Sequence, residues 1–211
     1  MSAAAGVRVQ SDMQSIEAAL AGRSIEAIVI GASAGGVDAL VELLPALPPD
    51  FKPATVCILH LPADRESRLA ELFGARLSLP VREAVDKAPV EGGTVYFAGA
   101  GYHLSIEQDR VFSISCEPPV HYARPAIDVL MESAADAYGD GLAGILLTGA
   151  NTDGANGMQR IRRRGGLTVV QDPREAQASA MPDGAIRKCA PHLVLPLAAI
   201  RALLPQLETR I

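Results

Sequence analysis

Residues 28–40, IVIGASAGGVDAL, decide the fold of this chain. A short run of β-branched residues leads into a glycine-rich turn, after which apolar residues recur at the spacing of a helix. This order predicts a buried strand, a tight turn and an amphipathic helix, which together open a doubly wound sheet. The turn carries one serine, Ser33, so it either cradles a phosphate or exposes that serine as a nucleophile.

The same alternation of strand and helix patterns continues along the chain. Buried strands are predicted at residues 25–30, 54–59, 144–147, 167–170 and 193–195, and short β segments at 94–98, 102–106 and 111–114. The last two β segments predict an antiparallel hairpin. We therefore expect an α/β fold with one doubly wound, mostly parallel sheet over residues 25–211, preceded by a peripheral segment, residues 1–24.

The bulk composition excludes several classes of protein. Hydrophobic residues make up 49% of the 211 residues and the net charge is −5, which argues against a disordered chain and against nucleic acid as a partner. No stretch approaches the roughly 20 apolar residues of a membrane helix, and no signal peptide is recognisable. Three cysteines without paired spacing predict reduced thiols. We expect a cytoplasmic protein without membrane insertion.

The glycine-rich turn departs from the known nucleotide-binding patterns. Its spacing is Gly-x-x-x-Gly-Gly rather than Gly-x-Gly-x-x-Gly, and no Gly-Lys-Ser/Thr follows, which excludes a P-loop. The second strand ends in Leu59-His60, without the acidic residue that binds a ribose. Nucleotide binding is kept only as an alternative. His103 and His121 lack the spacing of a metal site, so we expect no metal and no other cofactor.

The segment Gly31-Ala32-Ser33-Ala34-Gly35 matches a nucleophile elbow, Gly-x-Ser-x-Gly, in which the serine occupies a strained backbone conformation. The carboxyl ends of parallel strands meet at one edge of a sheet, and His60 and Asp153 also follow predicted strands. A nucleophile, a base and an acid that orients the base are what acyl transfer needs. Alternatively, His60 satisfies a loop hydrogen bond and Asp153 caps the helix near Gly154.

Several motifs resemble the catalytic domain of the bacterial chemotaxis protein-glutamate methylesterases. The similarity covers residues 25–195 and includes, in order, IGASAGGVDAL, ILHLP, ARPAIDVLMESAA, GILLTGANTDGANGM and MPDGAI. The resemblance implies a three-layer α/β/α domain that hydrolyses γ-glutamyl methyl esters of chemoreceptors, and in many members also deamidates receptor glutamines. It also implies Ser33 as the nucleophile, His60 as the general base and Asp153 as the partner of His60.

The mechanism that follows from the resemblance adds further candidate residues. The backbone N–H groups near Ala34 and Ala150 are candidates for the oxyanion hole. Arg124 lines the substrate cleft or steers a receptor carboxylate, or else it forms an ion pair with Asp128 one helical turn on. Met181 is expected in the wall of the cleft.

The sequence departs from the family pattern in two places. Ala34 stands where members commonly have threonine, so we expect activity with an altered rate or preference. Typical members begin with a phosphorylatable receiver domain, whereas about 24 residues precede the first predicted strand here. We therefore expect a free-standing enzyme or one regulated by a separate signalling protein. The alternatives are an esterase or deamidase for another protein, and a non-catalytic interaction module of the same fold.

Overall fold

The computed structural model describes residues 13–60 and 67–208. The strands, numbered along the chain, are β1 Ala27–Ala32, β2 Ala54–Leu59, β3 Val81–Glu83, β4 Val95–Phe97, β5 His103–Ile106, β6 Phe112–Ser115, β7 Leu142–Leu146, β8 Leu167–Gln171 and β9 Leu193–Leu195. Seven of them form one sheet in the order β3-β4-β2-β1-β7-β8-β9. Every pair in that sheet is parallel, whereas β5 and β6 form a separate antiparallel hairpin.

Helices cover both faces of the parallel sheet. They are α1 (residues 13–20), α2 Gly36–Leu43, α3 Leu69–Gly74, α4 Ile127–Tyr138, α5 Ala155–Arg163, α6 Ala180–Cys189 and α7 Leu197–Leu203, with 3-10 turns at Leu44–Ala46, Gly139–Gly141 and Leu204–Leu207. Side chains of β1 alternate between the faces: Ile28 and Ile30 pack in the core under α1, α2, α3 and α7, and Val29 packs under α4, α5, α6 and the hairpin. The predicted three-layer, doubly wound α/β/α fold is confirmed.

The structure differs from the predicted elements at a few places. Strand β1 runs two residues further than predicted because Gly31 and Ala32 still pair with Ile58 and Leu59 of β2. Strand β3 was not predicted, since it is short and only partly buried. Residues 1–12 of the segment predicted as peripheral lie outside the described residues, and Ile16 of α1 is fully buried.

The order of the strands brings three loops to one edge of the sheet. Strand β1 lies between β2 and β7. The strands up to β4 are added on one side of β1, and the strands from β7 onward are added on the other. Such a switch in strand order opens a crevice at the carboxyl ends of the strands. Ser33 follows β1, His60 follows β2, and Asp153 follows β7.

Across the two described ranges, no helix combines the length and the apolar character that a membrane crossing requires.

Candidate active site

Ser33 lies in the turn between β1 and α2. Its backbone N–H donates to the carbonyl of Thr148 at 2.9 Å, and its own carbonyl accepts from the N–H of Gly36 at 2.8 Å. The sequence predicted strained backbone at the serine, but the left-handed conformation occurs two residues later, at Gly35 (φ +77°). Glycine adopts this conformation without a steric cost, so the tight turn forms without straining Ser33.

Thr148 holds the loop after β7 against the serine turn. Its hydroxyl donates to the carbonyl of Ala34 at 2.8 Å and accepts from the N–H of Ala178 at 2.9 Å. The N–H of Thr148 donates to the side-chain oxygen of Gln171 at 2.9 Å. Thr148 is 2% exposed, so these bonds are sheltered from water and fix the two loops relative to each other.

His60 bridges the serine and the aspartate. Its Nδ1 lies 3.2 Å from Ser33 Oγ, and its Nε2 lies 2.8 Å from Asp153 Oδ2. The imidazole is 14% exposed. Because an ionised carboxylate only accepts hydrogen bonds, the network assigns the proton of a neutral imidazole to Nε2. The lone pair of Nδ1 then faces Ser33, as a general base requires. Residues 61–66, which follow His60, lie outside the described residues.

Asp153 is fully buried and accepts hydrogen bonds at both oxygens. Oδ2 accepts from His60 and from the N–H of Ile127 at 2.7 Å, and Oδ1 accepts from the N–H groups of Asp128 and Gly154 at 2.9 Å each. Burial raises the pKa of the Asp153 carboxyl, but the bonds from His60 and from the backbone outweigh it and hold the pKa below its ordinary value. Asp153 is therefore ionised at neutral pH.

The capping role considered for Asp153 is present, but at a different helix. Asp153 accepts the first N–H groups of α4, whereas the expected helix was the one starting near Gly154. A carboxylate at this end of a helix also gains from the positive end of the helix dipole. Capping and contact with His60 thus coexist in one side chain.

The two candidate oxyanion-hole residues flank the serine. Ala34 follows Ser33 directly, and Ala150 lies two residues after Thr148, whose carbonyl binds the Ser33 N–H. Both residues are exposed, and neither backbone N–H donates to a carbonyl or side chain within the described ranges. The intervening Gly149 is engaged, because its N–H donates to Ala178 and its carbonyl accepts from Met181. The role of the two amides stays a prediction.

The two predicted cleft residues, Arg124 and Met181, have contacts that the sequence did not indicate. Arg124 does not pair with Asp128; its guanidinium donates to the carbonyls of Cys116 and Glu117 at 3.0 and 3.1 Å. Arg124 lies before α4, which begins at Ile127, so Arg124 and Asp128 are not one turn apart on a helix. Met181, predicted in the wall of the cleft, is fully buried beneath Gly149, where it supports the loop after β7.

Two residues near the site escaped the sequence analysis of function. Thr148 lies in the motif GILLTGANTDGANGM, but the hydrogen bonds by which its hydroxyl links Ala34 to Ala178 are visible only in the structure. Asp128 was considered as a partner of Arg124, yet it binds α5, and its position in the first turn of α4 was the available signal. In the described ranges, no group of three or more His, Cys, Asp or Glu residues is arranged to hold a metal.

Comparisons with known proteins agree with one another. The family model for the CheB methylesterase matches residues 28–204. A Leptospira interrogans protein, provisionally named protein-glutamate methylesterase/protein-glutamine glutaminase, is 42% identical over 87% of this chain and 95% of its own length. A Symbiobacterium thermophilum protein with the same two activities in its name is 35% identical over 82% of this chain. The chain spans 48% of that second relative.

A solved structure is similar over the whole domain. The Thermotoga maritima CheB methylesterase catalytic domain superposes with a TM-score of 0.82 at 29% identity. The match covers 87% of this chain and 99% of that domain.

Proposed function

Because the chain belongs to the CheB methylesterase family, we propose that it hydrolyses γ-glutamyl methyl esters of a chemoreceptor-like protein, with Ser33, His60 and Asp153 as a catalytic triad. The observation that carries the proposal is the continuous contact from Ser33 Oγ through both ring nitrogens of His60 to Asp153. The order of the three groups is that of a nucleophile, a base and an orienting acid.

The first half of the reaction forms an acyl-enzyme. His60 Nδ1 takes the proton of Ser33 as Oγ attacks the ester carbonyl, and ionised Asp153 stabilises the imidazolium that results. The collapse of the tetrahedral intermediate breaks the ester C–O bond, and His60 returns the proton to the departing methoxide, which leaves as methanol. In the second half, His60 deprotonates a water that attacks the acyl carbon. The bond from that carbon to Ser33 Oγ then breaks, and His60 returns the proton to Ser33 as the glutamate side chain leaves.

The charge that develops on the carbonyl oxygen needs hydrogen-bond donors that are already aimed at it. The N–H groups of Ala34 and Ala150 are the proposed donors, and one such donor is typically worth about 3 kcal/mol of the barrier. The alanine at position 34 retains its N–H but has no hydroxyl, so the hole would consist of backbone groups alone.

Deamidation of glutamine uses the same nucleophile and releases ammonia in place of methanol. The names of the relatives pair both activities, so we include glutamine deamidation in the proposal. Regulation by a separate signalling protein and a cytoplasmic location stay predictions.

The test is methanol release from a methylated chemoreceptor, with ammonia release from its glutamine form measured in parallel. We expect the Ser33→Ala variant to lose both activities while keeping the fold. The matched control is Ser113→Ala in β6, which should retain wild-type rates. Methanol release by Ser33→Ala at the wild-type rate would refute the nucleophile. Tight receptor binding without turnover by the wild-type protein would favour the interaction module instead.

A further inference from the structure

Helices α4 and α5 begin side by side at the catalytic edge, and neither has a cap of its own. The residues preceding them are Ala126 and Gly154, and neither forms a side-chain capping bond. The first N–H groups of a helix have no partner within the helix, and leaving them unpaired in a buried place is costly. The N–H of Ala155 donates locally to the carbonyl of Thr152 at 3.3 Å. The N–H groups of Ile127, Asp128 and Gly157 instead have acceptors outside their own helices.

Each helix is capped by a carboxylate that belongs to the other. Asp153, just before α5, accepts from the N–H groups of Ile127 and Asp128 at the start of α4. Asp128 in turn accepts from the N–H of Gly157 at 2.8 Å and from the side-chain amide of Asn156 at 2.9 Å, both in the first turn of α5. The two carboxylates close a ring that joins the two helix starts.

We propose that Asp128 is a positioning residue for the triad: it holds the start of α5 against α4 and thereby keeps Asp153 Oδ2 in contact with His60. The inference rests on the proposed function. Asp128 bonds neither to Ser33 nor to His60 among the described contacts, and it is 4% exposed. Asp128 affects the reaction through Asp153, because the ring of hydrogen bonds fixes the loop in which Asp153 lies.

The surroundings of Asp128 and Asp153 shift the pKa values of the two carboxyls in opposite directions. Burial raises the pKa of Asp128, and the negative charge of Asp153 raises it further, against the bonds from α5. The pKa of Asp153 is lowered, so acidification protonates Asp128 first. Among the residues that the structure describes, the other titratable groups facing Asp128 are His121, whose Nε2 lies 3.4 Å from Oδ2, and Glu132 on the same helix. Asp153 thus stays ionised for His60.

A second link between α4 and α5 provides a matched control. Asp136 of α4 forms ion pairs with Arg160 and Arg164 of α5 at 2.8 and 2.7 Å. Asp136 lies eight residues beyond Asp128, which is about 12 Å along the helix. Substitution of Asp136 weakens the same helix pair far from Asp153, so it measures the effect of helix packing alone.

The test is steady-state ester hydrolysis by Asp128→Ala, Asp136→Ala and Asp153→Ala, and by the double variant of Asp128 and Asp153. We expect Asp128→Ala to lower kcat roughly tenfold to a hundredfold with little change in KM, because a misplaced catalytic group costs rate more than binding. Asp136→Ala should stay near wild type. In the Asp153→Ala background, Asp128→Ala should have almost no further effect, because the residue it positions is gone.

Asp128→Asn provides a second readout if the alanine variant fails to fold. The asparagine oxygen can still accept from Gly157, so most of kcat should survive. A kcat of Asp128→Asn as low as that of Asp153→Ala would overturn the inference. An equal loss from Asp128→Ala in both backgrounds, or an equal loss in Asp136→Ala, would also overturn it. An active Ser33→Ala variant would instead overturn the proposed function.

Discussion

Substitution of Asp153 by asparagine is predicted to invert the tautomer of His60. The new NH₂ group replaces one of the two carboxylate oxygens, each of which accepts two hydrogen bonds. At the position of Oδ2 it faces His60 and the N–H of Ile127. At the position of Oδ1 it faces two backbone N–H groups. When the NH₂ faces His60, the imidazole relieves one conflict by moving its proton to Nδ1. That nitrogen then donates toward Ser33 and no longer accepts its proton.

Two magnitudes follow from this geometry. Loss of the base by the wrong tautomer costs about 10⁴ in kcat in the serine protease triad, and we expect a loss of that order here. The remaining donor–donor contact leaves a buried N–H unsatisfied, which should lower the free energy of unfolding by about 1–3 kcal/mol.

The assay combines ester hydrolysis with urea unfolding of the same preparations. The control is Asp183→Asn, which makes the same chemical change in the first turn of α6 and should leave kcat near wild type. A folded Asp153→Asn variant with kcat within tenfold of wild type would refute the reasoning, because Asp153 would then not set the proton position on His60.

Three further perturbations test the surroundings of the site. Thr148→Val leaves the half-buried N–H of Ala178 without its acceptor. Urea unfolding should then show a loss of about 1 kcal/mol together with a lower kcat, and unchanged values would count against the bridging role. In Gly31→Ala, the new methyl would lie 2.5 Å from the Ile127 side chain, so overpacking should cost about 1–3 kcal/mol and displace the start of α4, with loss of activity. Because folding lowers the pKa of Asp153, ionisation of this carboxyl adds to the free energy of unfolding. That contribution is complete above the unfolded-state pKa of about 3.9 and is lost as the pH falls through the folded-state pKa. The stability gap between wild type and Asp153→Asn should therefore shrink below about pH 4, and a constant gap would contradict the shift.

The candidate site could be located from the sequence because strand ends and loop chemistry are local features. Ser33, His60 and Asp153 each follow a run of buried strand residues, and parallel strands bring such ends to one edge. Their catalytic roles stay a prediction. The role inferred for Asp128 could not be read locally, because its partner Gly157 lies 29 residues away on another helix.

The differences between the structure and the sequence predictions also have physical causes. The ion pair with Asp128, one of the alternatives for Arg124, requires a helix through both residues, whereas α4 begins only at Ile127. The cleft role of Arg124 stays a prediction. Met181 is predicted in the wall of the cleft, but the missing side chain of Gly149 leaves space in which the thioether of Met181 is buried. Strand β3 has no buried residue to mark it as a strand, whereas the equally short β4 and β9 each contain buried apolar residues.

The most direct test of the account is covalent labelling with a fluorophosphonate, followed by mass mapping of the modified residue. A fluorophosphonate reacts fastest with a serine that is activated by a nearby base. We predict one adduct, on Ser33, that is absent in Ser33→Ala and forms much more slowly in His60→Ala. An esterase that remains fully active while unlabelled, or an adduct on another residue that abolishes activity, would contradict it.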